Sequence, residues 1–409
     1  MFLYFTTTTI NAFLLSAEVV LNELWPLFLG LSDDSQDSVR LLSVEISLSF
    51  GDVEFFGRDF VEESLLPIVL KLAGDRSWRV RYLVGTSFTG LLEKVFIPVS
   101  SGRREGNSID ALTIFTTLLG DSEAEVRTAS ARQLAGSCAH FPHAEFEKKI
   151  LPVLRSLASD SSVSVRAAVA TQLNPLSAIA GEELAATALF PLYTHFFADE
   201  SSQVRLNAVS KMDVVCQVMG IEKLSQSILP AIIQLVEDKQ WRVREAVIEH
   251  LPTLTAHLGE KFFDENLVKI CLDLLNDPVH QVRQSAIQNL SNLINRFGID
   301  WCRERLLVPV MTNLTTNSNY LRRTGLGHVV KVITPLGNED LFLKVSLPAL
   351  KALATDSVPN VRLSVSRAIL DVMPLINNCR DEVKSTLQLL SQDPDFDVKY
   401  FASKAIELF

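Results

Sequence analysis

The chain is poor in cysteine, and the few thiols it has are scattered. Cys138, Cys216, Cys271, Cys302 and Cys379 are far apart, odd in number and free of any CxxC pair. That spacing argues against a disulfide framework and against a thiolate metal site, both of which need clustered ligands. The five read as reduced core thiols, which places the chain in a reducing compartment, cytoplasmic or nuclear. An excess of basic residues is also missing. A formal net charge of -10 and a pI near 5.3 disfavour phosphate backbones and anionic membranes, so neither nucleic acid nor membrane is expected as a partner. Gly and Pro number only 17 and 16 while 47% of residues are apolar, so a large core is available and widespread disorder is not expected.

Catalytic signatures are absent as well. The seven histidines show no HExxH spacing, and no GKS or GKT, GxSxG or HRD motif occurs. A glycine pair at Gly325 and Gly327 falls inside a predicted helix with no strand before it, the wrong setting for a phosphate loop. No enzyme activity, cofactor or catalytic residue is expected. After the opening segment no stretch gives 18 uncharged apolar residues. The opening itself, MFLYFTTTTINAFLLSAEVVL, is uncharged before Glu18. It lacks a basic leader and is diluted by threonines, so it reads as a truncated helix rather than a signal peptide.

What the chain has is a period. An acidic or amide residue precedes a basic one by six in ten registers: Asp34/Arg40, Asp75/Arg81, Asp121/Arg127, Asp160/Arg166, Asp199/Arg205, Asp238/Arg244, Asp277/Arg283, Asn317/Arg323, Asp356/Arg362 and Asp393/Lys399. Successive basic members stand 37 to 46 residues apart, and five of the nine intervals are 39, a phase that chance placement would not hold. Proline keeps the phase eight residues before the acidic position, as Pro26, Pro67, Pro152, Pro191, Pro230, Pro309 and Pro348. Glycine keeps it after the basic one, as Gly181, Gly220, Gly259, Gly298 and Gly337.

The segment Asp238 to Gly259 shows one unit in full. Val243, Val247, Leu251, Leu254 and Leu258 form a helical apolar stripe, Asp238 reads as its cap, and Gly259 supplies the left-handed residue past its end. Each repeat is thus predicted to be a first helix started or kinked at its proline, a short turn at the Asp, and a second helix closed by glycine. Two antiparallel helices per unit is the HEAT-type pattern. The predicted fold is an all-α HEAT-repeat α-solenoid, about ten helix pairs in a curved right-handed superhelix. Residues 1–22 would be the remnant or capping helix of a preceding repeat and 23–409 one continuous solenoid. Each Arg is placed to reach the Asp of a neighbouring repeat, giving an edge ladder whose rungs would each add ~1 kcal/mol or less if exposed. The longest interval contains VSSGRREGNSID, predicted to be a loop with Arg103, Arg104 and Glu105 at its tip.

From about Leu21 onward the chain also resembles a known family. The stretches DSVRLLSVE, DRSWRVRYLVG, LSQSILPAIIQLVEDKQWRVREAVIEHLP, LGEKFFDENLVKICLDLL, NLINRFGIDW and DFDVKYFASKAIELF are similar to the scaffold (A) subunit of type 2A serine/threonine protein phosphatase. WRVR, occurring twice in phase at Trp78 and Trp241, is its most particular feature. The resemblance implies a non-catalytic scaffold whose inter-helix turns hold the phosphatase catalytic subunit on the C-terminal repeats, 224–409, and a regulatory B-type subunit on earlier ones. Carried over, the catalytic-subunit contacts would be Lys239, Trp241, Arg242, His280, Asn319, Tyr320, Arg323, Val358, Asn360, Asp395 and Phe396. The regulatory-subunit contacts would be Asp37, Trp78, Arg79 and Glu123. Two departures stand out: His280 replaces an aromatic phenol, and Asn317 the usual Asp. The family's scaffolds also carry further N-terminal repeats. Independently of the resemblance, Trp and Arg dominate binding hot spots, and a Trp in a turn flanked by charge is hard to bury. The alternative from another class is a nuclear transport receptor or adaptor. Adaptors that read basic signals repeat Trp and Asn one helical turn apart, whereas here Trp241 is followed by Glu245 and Trp78 by Tyr82.

Overall fold

The computed structural model describes residues 17–52, 58–96, 105–210, 230–337 and 339–409. All regular structure among them is helical, and no strand occurs. The chain divides into two compact units, Met1–Met219 and Gly220–Phe409, and five of the ten registers fall in each. Every register with both halves described is a first helix, a short turn and a second helix. The register at Asp160 runs from His143 through Ala158, turns, and continues as Val163–Ala180. The register at Asp277 ends its first helix at Leu275 and continues as His280–Phe297. An all-α solenoid of HEAT-type repeats is therefore the fold. Residues 17–24 belong to the first repeat itself, running on as one helix into Trp25–Ser32. Glu105 to Asp110, predicted as loop, instead begin the helix Glu105–Leu119, while Arg103 and Arg104 lie outside the described residues.

Pro230 aside, before which the residues are not described, the phased prolines neither start the first helix nor break it. In six registers a five-residue π-helical turn ends two residues before the proline, as in Val20–Leu24 before Pro26, Phe146–Ile150 before Pro152 and Phe342–Ser346 before Pro348. A proline lacks its N–H and crowds the carbonyl four residues back. Widening the preceding turn relieves that crowding within a continuous helix. The amide before the proline donates five residues back, as Trp25 does to the Val20 carbonyl.

The glycines act as corners. Gly181, Gly259 and Gly298 have φ of 80°, 81° and 82°, as predicted, but ψ of 169°, 168° and 159° makes the backbone extended rather than left-handed helical. One residue thus ends a second helix and caps the next first helix. Gly337 departs from this, with φ −99°, and needs no special freedom. A Cβ on Gly298 would meet no atom within 4 Å, so only its backbone angle excludes other residues. Gly298→Ala should therefore cost about 1–3 kcal/mol. Gly30→Ala, in an unstrained helix with equally open space, should be neutral or stabilising. Paired thermal melts check the contrast, and equal shifts would contradict it.

Buried apolar residues supply the core. Phe88 stacks on Phe115 with ring centroids 4.6 Å apart in the first unit. In the second, fully buried Phe263 meets Phe297 at 5.2 Å and Trp301 at 5.7 Å. Cys138, Cys271, Cys302 and Cys379 are free and buried, and burial raises the first three thiols to about 12 and pushes Cys379 up. Cys216 lies outside the described residues. Gly327 is a packing notch: its Cα faces Ser364 of the next repeat so closely that a Cβ would lie 2.5 Å from the Ser364 hydroxyl.

Candidate functional site: the inter-helix turns

Each turn is built by its own Asp, or in one register by Asn317, though not as a helix cap. The Asp238 carboxylate accepts from the Gln240 N–H at 2.8 Å, and Asp277 does the same from Val279 at 2.7 Å. The cap position belongs to the residue two further on, Gln240, Val279, Ser162 or Glu123. The predicted capping role is thus corrected: these carboxylates fold an Asx turn ahead of the helix. Among the described turns, Asn319 and Asp395 do sit at the cap and accept helix N–H bonds through their side chains.

In seven registers the Arg fastens the turn from two directions. Arg244 Nη1 donates to the Asp238 carbonyl at 2.6 Å in its own repeat, and Nε and Nη2 reach the Asp277 carboxylate at 2.6 and 2.8 Å in the next. Arg40–Asp75, Arg81–Asp121, Arg127–Asp160 and Arg166–Asp199 repeat this fork in the first unit, and Arg323–Asp356 and Arg362–Asp393 in the second. The ladder is a real edge of each unit. Its rungs are largely buried, so the small value expected of an exposed pair does not apply: the Arg166 and Asp199 side chains are 7% and 4% exposed. For Asp199, burial pushes the carboxyl up, but the Arg166 and Ser201 hydrogen bonds outweigh it and hold it below the ordinary range. The Asp75, Asp121 and Asp160 carboxyls show the same balance.

Because the ladder ties consecutive turns together, the residues just after each Asx turn share one edge within a unit. In the second unit this edge presents Lys239, Arg242, His280, Asn319, Tyr320, Asn360 and Phe396, all exposed, Phe396 at 78%. Trp241 is half-buried, with the Arg242 guanidinium 4.6 Å over its ring. Val358 and Asp395 are half-buried turn residues at helix caps. Arg323 faces the other way: its fork holds Asp356 and its Nη1 the Asn317 and Ser318 carbonyls, so its nitrogens serve the ladder. In the first unit Asp37, Trp78 and Arg79 come together. Asp37 accepts from the Ser77 hydroxyl at 2.8 Å and stands 3.6 Å from Arg79, whose guanidinium lies 5.7 Å from the Trp78 ring. Glu123 is exposed one turn further along.

Sequence reasoning missed Leu321, 49% exposed beside Tyr320. Its signal was available: it lies off the buried stripe of Leu326, Val329, Val330 and Ile333. Two shallow grooves between second helices were also missed. One is lined by Gln281, Gln284, Gln288, His328 and Lys331, and the other by His328, Lys331, Asn360, Arg367 and Asp371. Among the described residues no group of His, Cys, Asp or Glu could hold a metal, and no helix is long and apolar enough to cross a membrane.

Fold and edge together define a class, a HEAT-repeat helical solenoid with laddered turns. Family models match in pieces: residues 109–181 as a PPP2R1A-like HEAT repeat, 187–270 as a PIK3R4-like middle domain, and 267–297 as a HEAT repeat. The regulatory A subunit of protein phosphatase PP2A from Schizosaccharomyces pombe is 39% identical over 83 residues, 20% of this chain and 14% of that protein. The beta isoform of the 65 kDa regulatory A subunit of serine/threonine-protein phosphatase 2A from Homo sapiens is 45% identical over 53 residues, 12% and 9% of the two chains. The similarity to these relatives thus spans under a sixth of their length. Among solved structures, Kap121p bound to Nup53p aligns with a TM-score of 0.62 at 15% identity, covering 95% of this chain and 41% of that one. Kap95p, solved with RanGDP, aligns at 0.66 and 14%, covering 96% and 51%. At such identity these two show the fold alone.

Proposed function

We propose that this chain is a non-catalytic scaffold that holds a type 2A serine/threonine protein phosphatase catalytic subunit on the turn edge of Gly220–Phe409 and a regulatory subunit on that of Met1–Met219. The observation that carries the reading is the laddered edge bearing Trp241, Tyr320 and Phe396 in one register position, with Lys239 and Arg242 beside the first, in a chain locally similar to the regulatory A subunits of PP2A. Large aromatic and Arg side chains held on a rigid edge have the character of binding hot spots. Holding two subunits on one chain raises their effective concentration for each other, which is the mechanism of such a scaffold. The assembly would work in the cytoplasm or nucleus.

The test is an affinity measurement with the type 2A catalytic subunit. Wild type should bind, and a Trp241→Ala, Tyr320→Ala double variant should bind about a thousandfold more weakly, since each hot-spot truncation costs about 2 kcal/mol and every 1.4 kcal/mol is a factor of about ten. Equal binding by the two would sink the mapped site. The transport alternative has the fold likeness to karyopherins and the acidic balance in its favour. Tight, salt-sensitive binding of a basic localisation peptide, with no binding of the catalytic subunit, would replace the scaffold reading with it.

A further inference from the structure

The ladder of the second unit has one broken rung. Where the pattern requires an Asp to meet Arg283, the chain has Asn317. Asn317 keeps the local half of the job: its side-chain oxygen accepts from the Asn319 N–H at 3.0 Å, as the Asp does in the other turns. Its amide nitrogen turns away and donates to Asn276 at 3.0 Å, and Asn276 in turn donates to Asn313 at 2.9 Å. Arg283 keeps its half too, with Nη1 on the Asp277 carbonyl at 2.8 Å and the Pro278 carbonyl at 3.1 Å. The fork that elsewhere grips a carboxylate, Nε and Nη2, holds none among the described residues. Its one contact is a long 3.5 Å approach of Nη2 to His280 Nδ1. Asp277, the carboxylate whose charge acts on Arg283, is already gripped by Arg244.

The site is electropositive in an otherwise acidic chain. Burial, then the neighbouring Arg322 charge, lowers the proton affinity of Arg283, whereas a paired Asp raises that of Arg244, Arg323 and Arg362. A half-desolvated guanidinium with a free planar fork is a bidentate receptor for a carboxylate. Arg283 is half-buried, and its fork opens beside His280 at the foot of the turn edge.

We propose that Arg283, flanked by His280 and Arg322, receives an Asp or Glu side chain from the protein that docks on this edge, which thereby completes the missing rung. The choice of a protein carboxylate follows from the fork geometry, which matches the planar acceptor gripped at the seven intact rungs. The partner is the one named under the scaffold reading, and the inference rests on that reading for its identity.

The decisive variant is Asn317→Asp, which fills the fork from within. It should raise the melting temperature of the second unit by about 2–4 °C, the shift that follows from pairing a charge already partly desolvated. It should also weaken binding of the type 2A catalytic subunit by about tenfold, because the partner's carboxylate then meets an occupied site. A variant that is more stable yet binds worse cannot be explained by misfolding. A second arm needs no partner. Acetate titrated into the full chain should shift the Arg283 Nε–H resonance, assigned by its loss in Arg283→Lys, in wild type and not in Asn317→Asp. Undiminished binding by a stabilised Asn317→Asp, an unchanged melting temperature, or an Arg283 resonance indifferent to acetate each overturns the proposal. If wild type does not bind the catalytic subunit but Arg283 still responds to acetate, the scaffold reading fails and the carboxylate receptor stands.

Discussion

Arg166→Ala should destabilise the Met1–Met219 unit by about 3–5 kcal/mol, the cost of stranding a buried partner charge. The Asp199 carboxylate is 4% exposed, and its two oxygens accept from Arg166 Nε at 2.7 Å and Nη2 at 3.1 Å. Truncation leaves it with the Ser201 N–H alone from that set, and also frees the Asp160 carbonyl from Arg166 Nη1. Urea unfolding followed by circular dichroism checks this. Lys71→Ala is the control, because its pair with Asp33 also crosses between repeats but is exposed, 55% and 76%, and its loss should leave the midpoint unchanged. A loss from Arg166→Ala no larger than that of the control would mean the ladder is no more than surface pairing.

The acid side of the same experiment has a definite sign. The Asp199 carboxyl is held below its ordinary value in the folded state. Its contribution is therefore fully present above the unfolded value of about 4 and is lost as pH falls through the lower folded value. Wild type should thus lose stability below about pH 4. In Arg166→Ala the desolvation that pushes this carboxyl up acts without its main opponent, so protonation relieves the variant. The gap between the two proteins should narrow on acidification, and a constant gap would show that the lost stability is not electrostatic.

Phe263→Ala should cost the Gly220–Phe409 unit a similar ~3–5 kcal/mol, through lost burial and an unfilled cavity. The ring is fully buried between Phe297 and Trp301, which are themselves 4.6 Å apart, and it joins two consecutive repeats. Gly259 and Gly298 explain the convergence. Each makes a one-residue corner, so Phe263, four residues after the first, and Trp301, three after the second, lie in adjacent first helices. Phe263→Leu, which keeps most of the volume, should recover more than half of the loss. If Leu is as damaging as Ala, ring contacts rather than volume hold the junction.

The repeat was legible because its marks are local. The Asp-to-Arg spacing, the phased prolines and the glycines each act within one or two turns of their own chain segment. The exposed Trp78, Tyr320 and Phe396 were legible for a related reason: a large ring in a turn next to charge has few apolar neighbours to bury it. The π turns were not legible, because proline marks the site of crowding but not how the helix absorbs it. Nor was it legible that Arg323, read both as a rung of the ladder and as a partner contact, serves the ladder alone. Arg323 and Arg242 both follow a turn, yet one is consumed by Asp356 of the next repeat and the other lies free over Trp241.

By itself, then, the sequence determined the helical repeat and its phase, since hydrophobic period, turn chemistry and glycine corners are properties of contiguous residues. Only the tertiary structure decided which charges are spent between repeats and which remain for a partner. Those pairings join residues some 31 to 40 positions apart, and whether a rung is buried depends on how closely two repeats stack. Asn317 shows the limit. In the sequence it is one departure from a pattern, while in the fold it leaves Arg283 with an open fork at the foot of the turn edge, because the amide that replaced the carboxylate found a different partner in Asn276.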